Sequence, residues 1–268
     1  LEVSLLIGVV LGLSAILSGF ILEGGSFHSL TALSPFVIVV GGTIGATIAS
    51  YPLKDIVRAF RTVGKTFKQP SSNSTKQLID RILEISKTFR TNGVVALDTI
   101  VKEADLQKDD MLPLKEGLVL LQDGKDVENI QYVMEAELSS FVHQKHVEAG
   151  VFEAAGGYSP TMGVIGTVMS LVVVLAAGFG DSAELAHKIS TAFIATLYGV
   201  SFANVIYLPL ANKIKLYTKR CQIQREIIID GVCSMSKGLN ARSMENELAM
   251  YYQAFPDGTK HYRAGIEN

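Results

Sequence analysis

The sequence predicts an all-α integral membrane protein with four transmembrane helices, long cytoplasmic extensions of helices three and four, and a helical cytoplasmic module. Three observations predict it. First, no Asp, Glu, Lys or Arg occurs in Val3–Leu22, Gly24–Leu53, Ala154–Gly180 or Ile189–Asn212. About 20 apolar helical residues cross a bilayer, and only a helix or a closed barrel satisfies its backbone in hydrocarbon. Second, of the 24 Lys and Arg, 14 lie between Lys54 and Glu153, 9 follow Asn212, and only Lys188 falls between the last two uncharged stretches. Third, apolar residues outside those stretches recur at intervals of three and four, the period of a helix.

Residues 1–53 form the first transmembrane hairpin, turning at Glu23 and the polar residues around Ser26–Thr31. A cleaved signal peptide needs a basic leader and a small-residue cleavage site. Only Leu1 and Glu2 precede the first apolar run, which is therefore expected to remain as a span. Gly8 and Gly12, and again Gly41 and Gly45, have the four-residue spacing that lets helix backbones approach.

Residues 54–153 form the cytoplasmic helical domain. After the polar break Gln69–Thr75, Leu78, Ile82, Ile85 and Phe89 share one helical face, with Ser74 as cap and Asn92-Gly93 as stop. A short helix follows through Val94, Leu97, Ile100 and Val101, and another over Leu112–Leu121. From Val127, the stripe Ile130, Val133, Met134, Leu138, Phe141, Val142 runs without proline toward the third span, predicting one long helix entering the membrane.

Residues 154–212 form the second hairpin, turning at Asp181–Lys188. Residues 213–268 form a cytoplasmic helical tail, in which Ile214–Ile229 extends the fourth span. Lys54, Arg58, Arg61, Lys213, Lys215, Lys219 and Arg220 flank the spans and put both termini in the cytoplasm, because basic residues gather on that side. Tyr51, Tyr158, Tyr207 and Phe20 supply interfacial rings in a chain without Trp.

A positive mean hydropathy with a net charge of −2 gives no footprint for nucleic acid. Cys221 and Cys233 lack C-x-x-C spacing and a histidine cluster, so neither a disulfide nor a metal site is expected. The spans hold no ionisable acid or base of the kind on which proton relays are built. No intramembrane catalytic pair and no phosphate loop occurs, since Gly41-Gly-Thr-Ile-Gly45 lies inside a span and has no lysine. An enzyme is excluded, and an autonomous pump is disfavoured.

In the third span Pro160, Gly163, Thr167 and Ser170 share a face, and in the fourth Ala192, Thr196, Gly199 and Ala203 do. Such stripes pack helices, hold a partner helix or line a narrow hydrated path. Pro160 and Pro209 fall at the cytoplasmic boundary and free the carbonyls of Gly156 and Val205, which permits a hinge at one depth. Helix ends also tolerate proline for structural reasons alone.

The segments GYSPTMGVIGTVMSL at 157–171, AFIATLYGV at 192–200, PLANK at 209–213, IVVGGTIGA at 38–46 and REIIIDGV at 225–232 resemble the MotA/PomA family of bacterial flagellar motor stator proteins, distant relatives of ExbB and TolQ. The likeness covers essentially the whole chain. It implies a subunit of the bacterial inner membrane that assembles as a homopentamer around the helices of a MotB-type single-span dimer. The partner helix supplies the ion-accepting aspartate, and H+ or Na+ flow drives ring rotation and torque on the rotor protein FliG. The ion is transported; no cofactor is implied. The resemblance assigns rotor contact to Arg90 and Asp98, Asp standing where the family has Glu. It places Thr167 and Thr196 in the ion pathway, where sodium-driven relatives tend to carry Thr at the first position. Two hydroxyls suit a sodium ion that must replace shed waters, while a water-lined proton route also accepts hydroxyls and a Thr can bond a carbonyl one turn back. Gly163, Ser170, Ala192, Gly199 and Ala203 are the matching residues for helix packing or a partner-helix bore. An ExbB/TolQ-like energiser of an outer-membrane system has three spans rather than four. A non-conducting membrane scaffold is the remaining alternative.

Overall fold

A computed structural model of the chain describes residues 3–25, 27–67, 72–177 and 182–251. The described structure is helical throughout its regular elements: α1 Ser4–Leu22, α2 Leu33–Phe36, α3 Gly42–Ser50, α4 Leu53–Thr66, α5 Ser72–Asn92, α6 Leu97–Ile100, α7 Leu112–Gln122, α8 Val127–Ala177, α9 Ser182–Phe202, α10 Leu208–Ser236 and α11 Ala241–Ala249. A π-helical turn over Val37–Gly41 joins α2 to α3, and another over Ala203–Tyr207 joins α9 to α10. Four helical stretches are long and apolar enough to span a membrane: Ser4–Leu22, Leu33–Ser50, Val127–Ala176 and Leu185–Ser236. The last two, of 50 and 52 residues, reach ~75 Å at 1.5 Å per residue, far beyond a hydrocarbon core of ~30 Å.

The chain divides into two compact units, residues 1–68 with 145–216 and residues 69–144 with 217–268. In the first, α1 buries no residue and presents Leu6, Ile7, Val10 and Leu11 outward. Phe36, Tyr198 and Phe202 make a ring cluster, with Phe36 edge-on to both others at 6.3 Å, and the Tyr198 hydroxyl donates to the Leu30 carbonyl. The amphipathic α4, of which the basic residues Lys54, Arg58 and Arg61 are the visible mark in the sequence, folds into this unit. Ala59 packs with Ala149, Phe152, Ala211 and Ile214, and Phe60 meets Phe152 edge-on at 5.2 Å. Beside it lies an ion pair that periodicity does not reveal. Lys145 Nζ donates to Glu148 Oε2 at 2.8 Å and to Thr62 Oγ1 at 2.9 Å, and Glu148 is only 1% exposed.

The second unit has an aliphatic core. Ile82, Ile85, Leu97, Leu106, Leu114, Leu118, Ile130, Ile227, Ile228, Met244 and Leu248 are fully buried. α5 begins at Ser72, which puts Ser74 inside the first turn instead of at the cap. It ends at Asn92, and Gly93 with φ +69 reverses the chain, a conformation that a Cβ disfavours. Arg81 gathers the turns before α7 through Asp105 at 2.9 Å and Glu103 while pairing with Glu84 at 2.8 Å. The tail read as helical includes α11, whose Asn240 cap accepts from the Ser243 amide at 2.8 Å.

Two further expectations change. The turn expected at Asp181–Lys188 is helical from Ser182, with 178–181 outside the described residues, as are 68–71 of the polar break and Ser26 of the first turn. Of the paired glycines only Gly12 meets a neighbour, with a Cβ there 3.2 Å from Val205; Gly8, Gly41 and Gly45 face open space, and the close approach falls on Gly42 against Met162. Spacing alone does not reveal which way a face points.

Candidate ion pathway at the α8–α9 crossing

Two residues without side chains let α8 and α9 touch backbone to backbone. A Cβ on Gly199 would lie 2.5 Å from the Ser159 carbonyl and 3.1 Å from the Cα atoms of Pro160 and Gly163. A Cβ on Gly163 would lie 2.8 Å from the Ala195 carbonyl. Ser159 Oγ donates to the Gly199 carbonyl at 3.0 Å and pins the crossing. Ala192 and Ala203 are fully buried nearby, and Ser170 is half-buried. The small faces of the two spans therefore meet each other within one chain.

One turn from Gly163, Thr167 and Thr196 face each other with Oγ1 atoms 2.7 Å apart. Thr167 Oγ1 is also 2.9 Å from the Ala192 carbonyl and 3.1 Å from the Gly163 carbonyl. A hydroxyl carries one proton and two acceptor lone pairs. Thr167 therefore donates to a carbonyl and accepts from Thr196, leaving oxygen lone pairs as the chemistry this pair can offer. Around it α8 exposes Val164, Val168 and Val172, an apolar surface at a depth where lipid or another helix must cover it.

Pro160 lies inside the unbroken α8, and Pro209 is the second residue of α10, just after the π turn. The wider π turn supplies the slack where the ring lacks an amide proton. The prolines do not share a depth: Pro160 stands beside Gly199, whereas Leu208 stands beside Gly156, one turn before Pro160. Antiparallel pairing makes sequence distance from the span ends a poor guide to depth.

Arg90 and Asp98 are both exposed, in the last turn of α5 and the first of α6. Asp98 accepts from Gln122 Nε2. Between them Val94 and Val95 are exposed, Val95 to 77%, so the two charges flank an apolar tip that hydropathy had read only as part of a helix.

Comparison with known proteins agrees with this geometry. Residues 6–93 match the family model for the motility protein A N-terminal region, and 104–227 match the MotA/TolQ/ExbB proton channel family. Motility protein A of Bacillus subtilis (strain 168) is 33% identical over 249 residues, covering 93% of this chain and 90% of that protein. Among solved structures, C. jejuni MotAB aligns with a TM-score of 0.84 at 26% identity, covering 94% of this chain and 96% of that one. The flagellar MotAB stator complex from Bacillus subtilis aligns with a TM-score of 0.81 at 33% identity, covering 92% and 94%. With four candidate spans among the described residues, family matches over residues 6–93 and 104–227 and likeness along nearly its whole length, the chain is a multi-pass membrane protein that belongs to the motility protein A family, within the MotA/TolQ/ExbB proton channels and not among enzymes.

Proposed function

We propose that this chain is a flagellar stator subunit that joins a MotB-type partner to couple H+ or Na+ flow to rotation and torque. The observation that carries this is the crossing itself: two hydroxyls meet between the stretches 154–180 and 189–212, which hold no Asp, Glu, Lys, Arg or His. Stable ion capture in a membrane needs a compensating charge, so the carboxylate comes from outside the chain. The likeness to solved MotAB complexes points to its source. On this reading five copies ring a partner dimer in the bacterial inner membrane, with both termini cytoplasmic. The apolar face of α8 beside Thr167 meets the partner helix. Thr167 and Thr196 offer oxygen lone pairs to the ion, Pro160 and Pro209 absorb the change in helix direction, and Gly163, Ser170, Ala192, Gly199 and Ala203 keep the helices close enough to move as one wall.

In the same proposal, hairpins 1–53 and 154–212 form the membrane part, with 54–153 and 213–268 cytoplasmic. Arg90 and Asp98 engage complementary charges on FliG. The test is motility in cells lacking their own stator. The chain with its partner should restore swimming, and the double reversal Arg90→Glu with Asp98→Lys should abolish torque more fully than double neutralisation, because opposed like charges repel. Full swimming by the double reversal would reject the rotor-contact assignment. Swimming in sodium-free medium that collapses with a protonophore identifies the proton as the ion; the converse identifies sodium.

A further inference from the structure

Only Tyr51 and Pro52 separate α4 from the second span, and the partners of α4 show how it lies. A Cβ on Gly150 would stand 2.9 Å from the Tyr51 hydroxyl, the Phe60 ring meets Phe152, and Thr62 Oγ1 accepts from Lys145. Residues 51 to 62 would cover ~16 Å alongside another helix, yet these partners stay within ~10 Å of α8 and do not advance in order. α4 therefore crosses α8 instead of running along it, and Ala59 packs with Ala211 and Ile214 of α10 in the same layer. That layer is the edge of the hydrocarbon, because the uncharged stretch of α8 starts at Ala154, directly after the Glu153–Lys215 ion pair. The exposed side of α4 has two edges. At ~100° per residue, Leu53, Val57 and Phe60 share one narrow stripe and are 64%, 50% and 62% exposed. Lys54, Arg58, Arg61 and Lys65 share a second stripe, ~100° further round. Asp55, which pairs with Arg58 at 3.4 Å, is the one acid of α4. Phe60, on the apolar edge, reaches Phe152 at the span end of the contact, whereas Thr62 reaches Lys145 at the far end. The apolar edge is turned toward the hydrocarbon and the basic edge away from it.

We infer that α4 is an interfacial helix that binds the membrane surface, with Leu53, Val57 and Phe60 among the first acyl carbons and Lys54, Arg58 and Arg61 beside the phosphates of anionic lipids. A helix of this build holds a membrane through its apolar edge and through attraction of its basic edge to anionic headgroups. The other cover for such a face is a second copy of the chain. The order of the two edges selects lipid: carbon on the span side and positive charge on the far side follow the polarity gradient of a leaflet, which a protein contact has no reason to follow. Residues 53–66 then belong to the membrane layer and not to the soluble part of the chain. The leaflet is the cytoplasmic one under the topology proposed above.

The chain has no tryptophan, so a single introduced one reports its own depth. The test uses the assembled protein in vesicles of phosphatidylglycerol and phosphatidylcholine, carrying Val57→Trp, Phe60→Trp or, on the basic edge, Arg61→Trp. Lipids brominated near the headgroup end of the acyl chain should quench Val57→Trp and Phe60→Trp several-fold more than lipids brominated near the chain terminus. Aqueous acrylamide should quench Arg61→Trp the most. Val57→Trp leaves the Phe60–Phe152 contact intact and carries the test if Phe60→Trp fails to assemble. Moving the bromines from phosphatidylcholine to phosphatidylglycerol at equal mole fraction should raise the quenching of Val57→Trp, and adding Lys54→Gln with Arg61→Gln should erase that difference. Strong acrylamide quenching of both apolar-edge tryptophans, with none from bromine, means a face turned to water and overturns the inference. So does shielding from bromine and acrylamide alike, which means that a second copy covers α4. Equal quenching by the two brominated lipids in the unmodified basic edge rejects anionic lipid as the partner.

Discussion

The crossing of α8 with α9 and the aliphatic core of the second unit are packed on opposite principles. In the core, large aliphatic side chains such as Ile82, Leu114, Leu118 and Ile227 are withdrawn from water, and the hydrophobic effect holds them there. At the α8–α9 crossing the contact atoms belong to Gly163, Gly199, Ser159 and Ala195. Lipid is as apolar as leucine, so burying leucine between spans gains little, and close approach with backbone hydrogen bonds does the work instead. Size is therefore stabilising in one unit and destructive in the other.

Gly199→Val should have the largest effect. Its Cβ would stand 2.5 Å from a backbone carbonyl, which cannot turn aside as a side chain can. We expect loss of folded protein from the membrane, read by yield and gel filtration, while Gly41→Val, facing open space, leaves both unchanged. Next comes Glu148→Ala. It takes the carboxylate from the Lys145 ammonium in a nearly closed site and should cost up to about 3–5 kcal/mol, seen as a fall in Tm; pairing Lys145→Met with Glu148→Leu should restore most of it. Leu118→Ala in the core should cost about 2–5 kcal/mol, against no more than about 0.5 kcal/mol for Leu11→Ala on the outer face of α1. Equal losses at Leu118 and Leu11 would break the comparison.

The smallest effect concerns pH. Burial, then a hydrogen bond with Glu137, pushes the Glu116 carboxyl above its ordinary value of 4.5, against the lowering pull of Arg225 and Lys115. Arg225 itself holds Glu137 at 2.7 Å and lies 4.0 Å over the Phe141 ring. The folded protein thus keeps this proton after the unfolded chain has lost it, and stability falls as pH rises from 4.5 through the raised value. Glu116→Gln removes that penalty. Its Tm should exceed that of the unmodified protein at neutral pH and converge with it below pH 4.5.

Much of this architecture was legible because solvent writes it into the pattern. Uncharged stretches mark spans, and the Leu78, Ile82, Ile85, Phe89 stripe marks the inner face of α5. The family match was legible in the motifs around Pro160 and Ala192. What periodicity could not show was the direction of faces surrounded by lipid, where inside and outside have the same polarity. Gly8 and Gly12 look alike in sequence yet differ in having a neighbour. The Lys145–Glu148–Thr62 cluster was also hidden: its i,i+3 charge pair reads as a solvated surface until α4 covers it. The π turn before Pro209 leaves no compositional trace apart from the proline.

On the proposed function the spans offer an uncharged pathway that a partner's carboxylate completes. Ion flux into proteoliposomes tests it most directly, with the chain alone, with an unplugged MotB-type partner, and with that partner and Thr167→Val. Tight vesicles are expected for the chain alone, a leak with the partner, and a several-fold smaller leak when Thr167 loses its hydroxyl. A robust leak from the chain alone would contradict it.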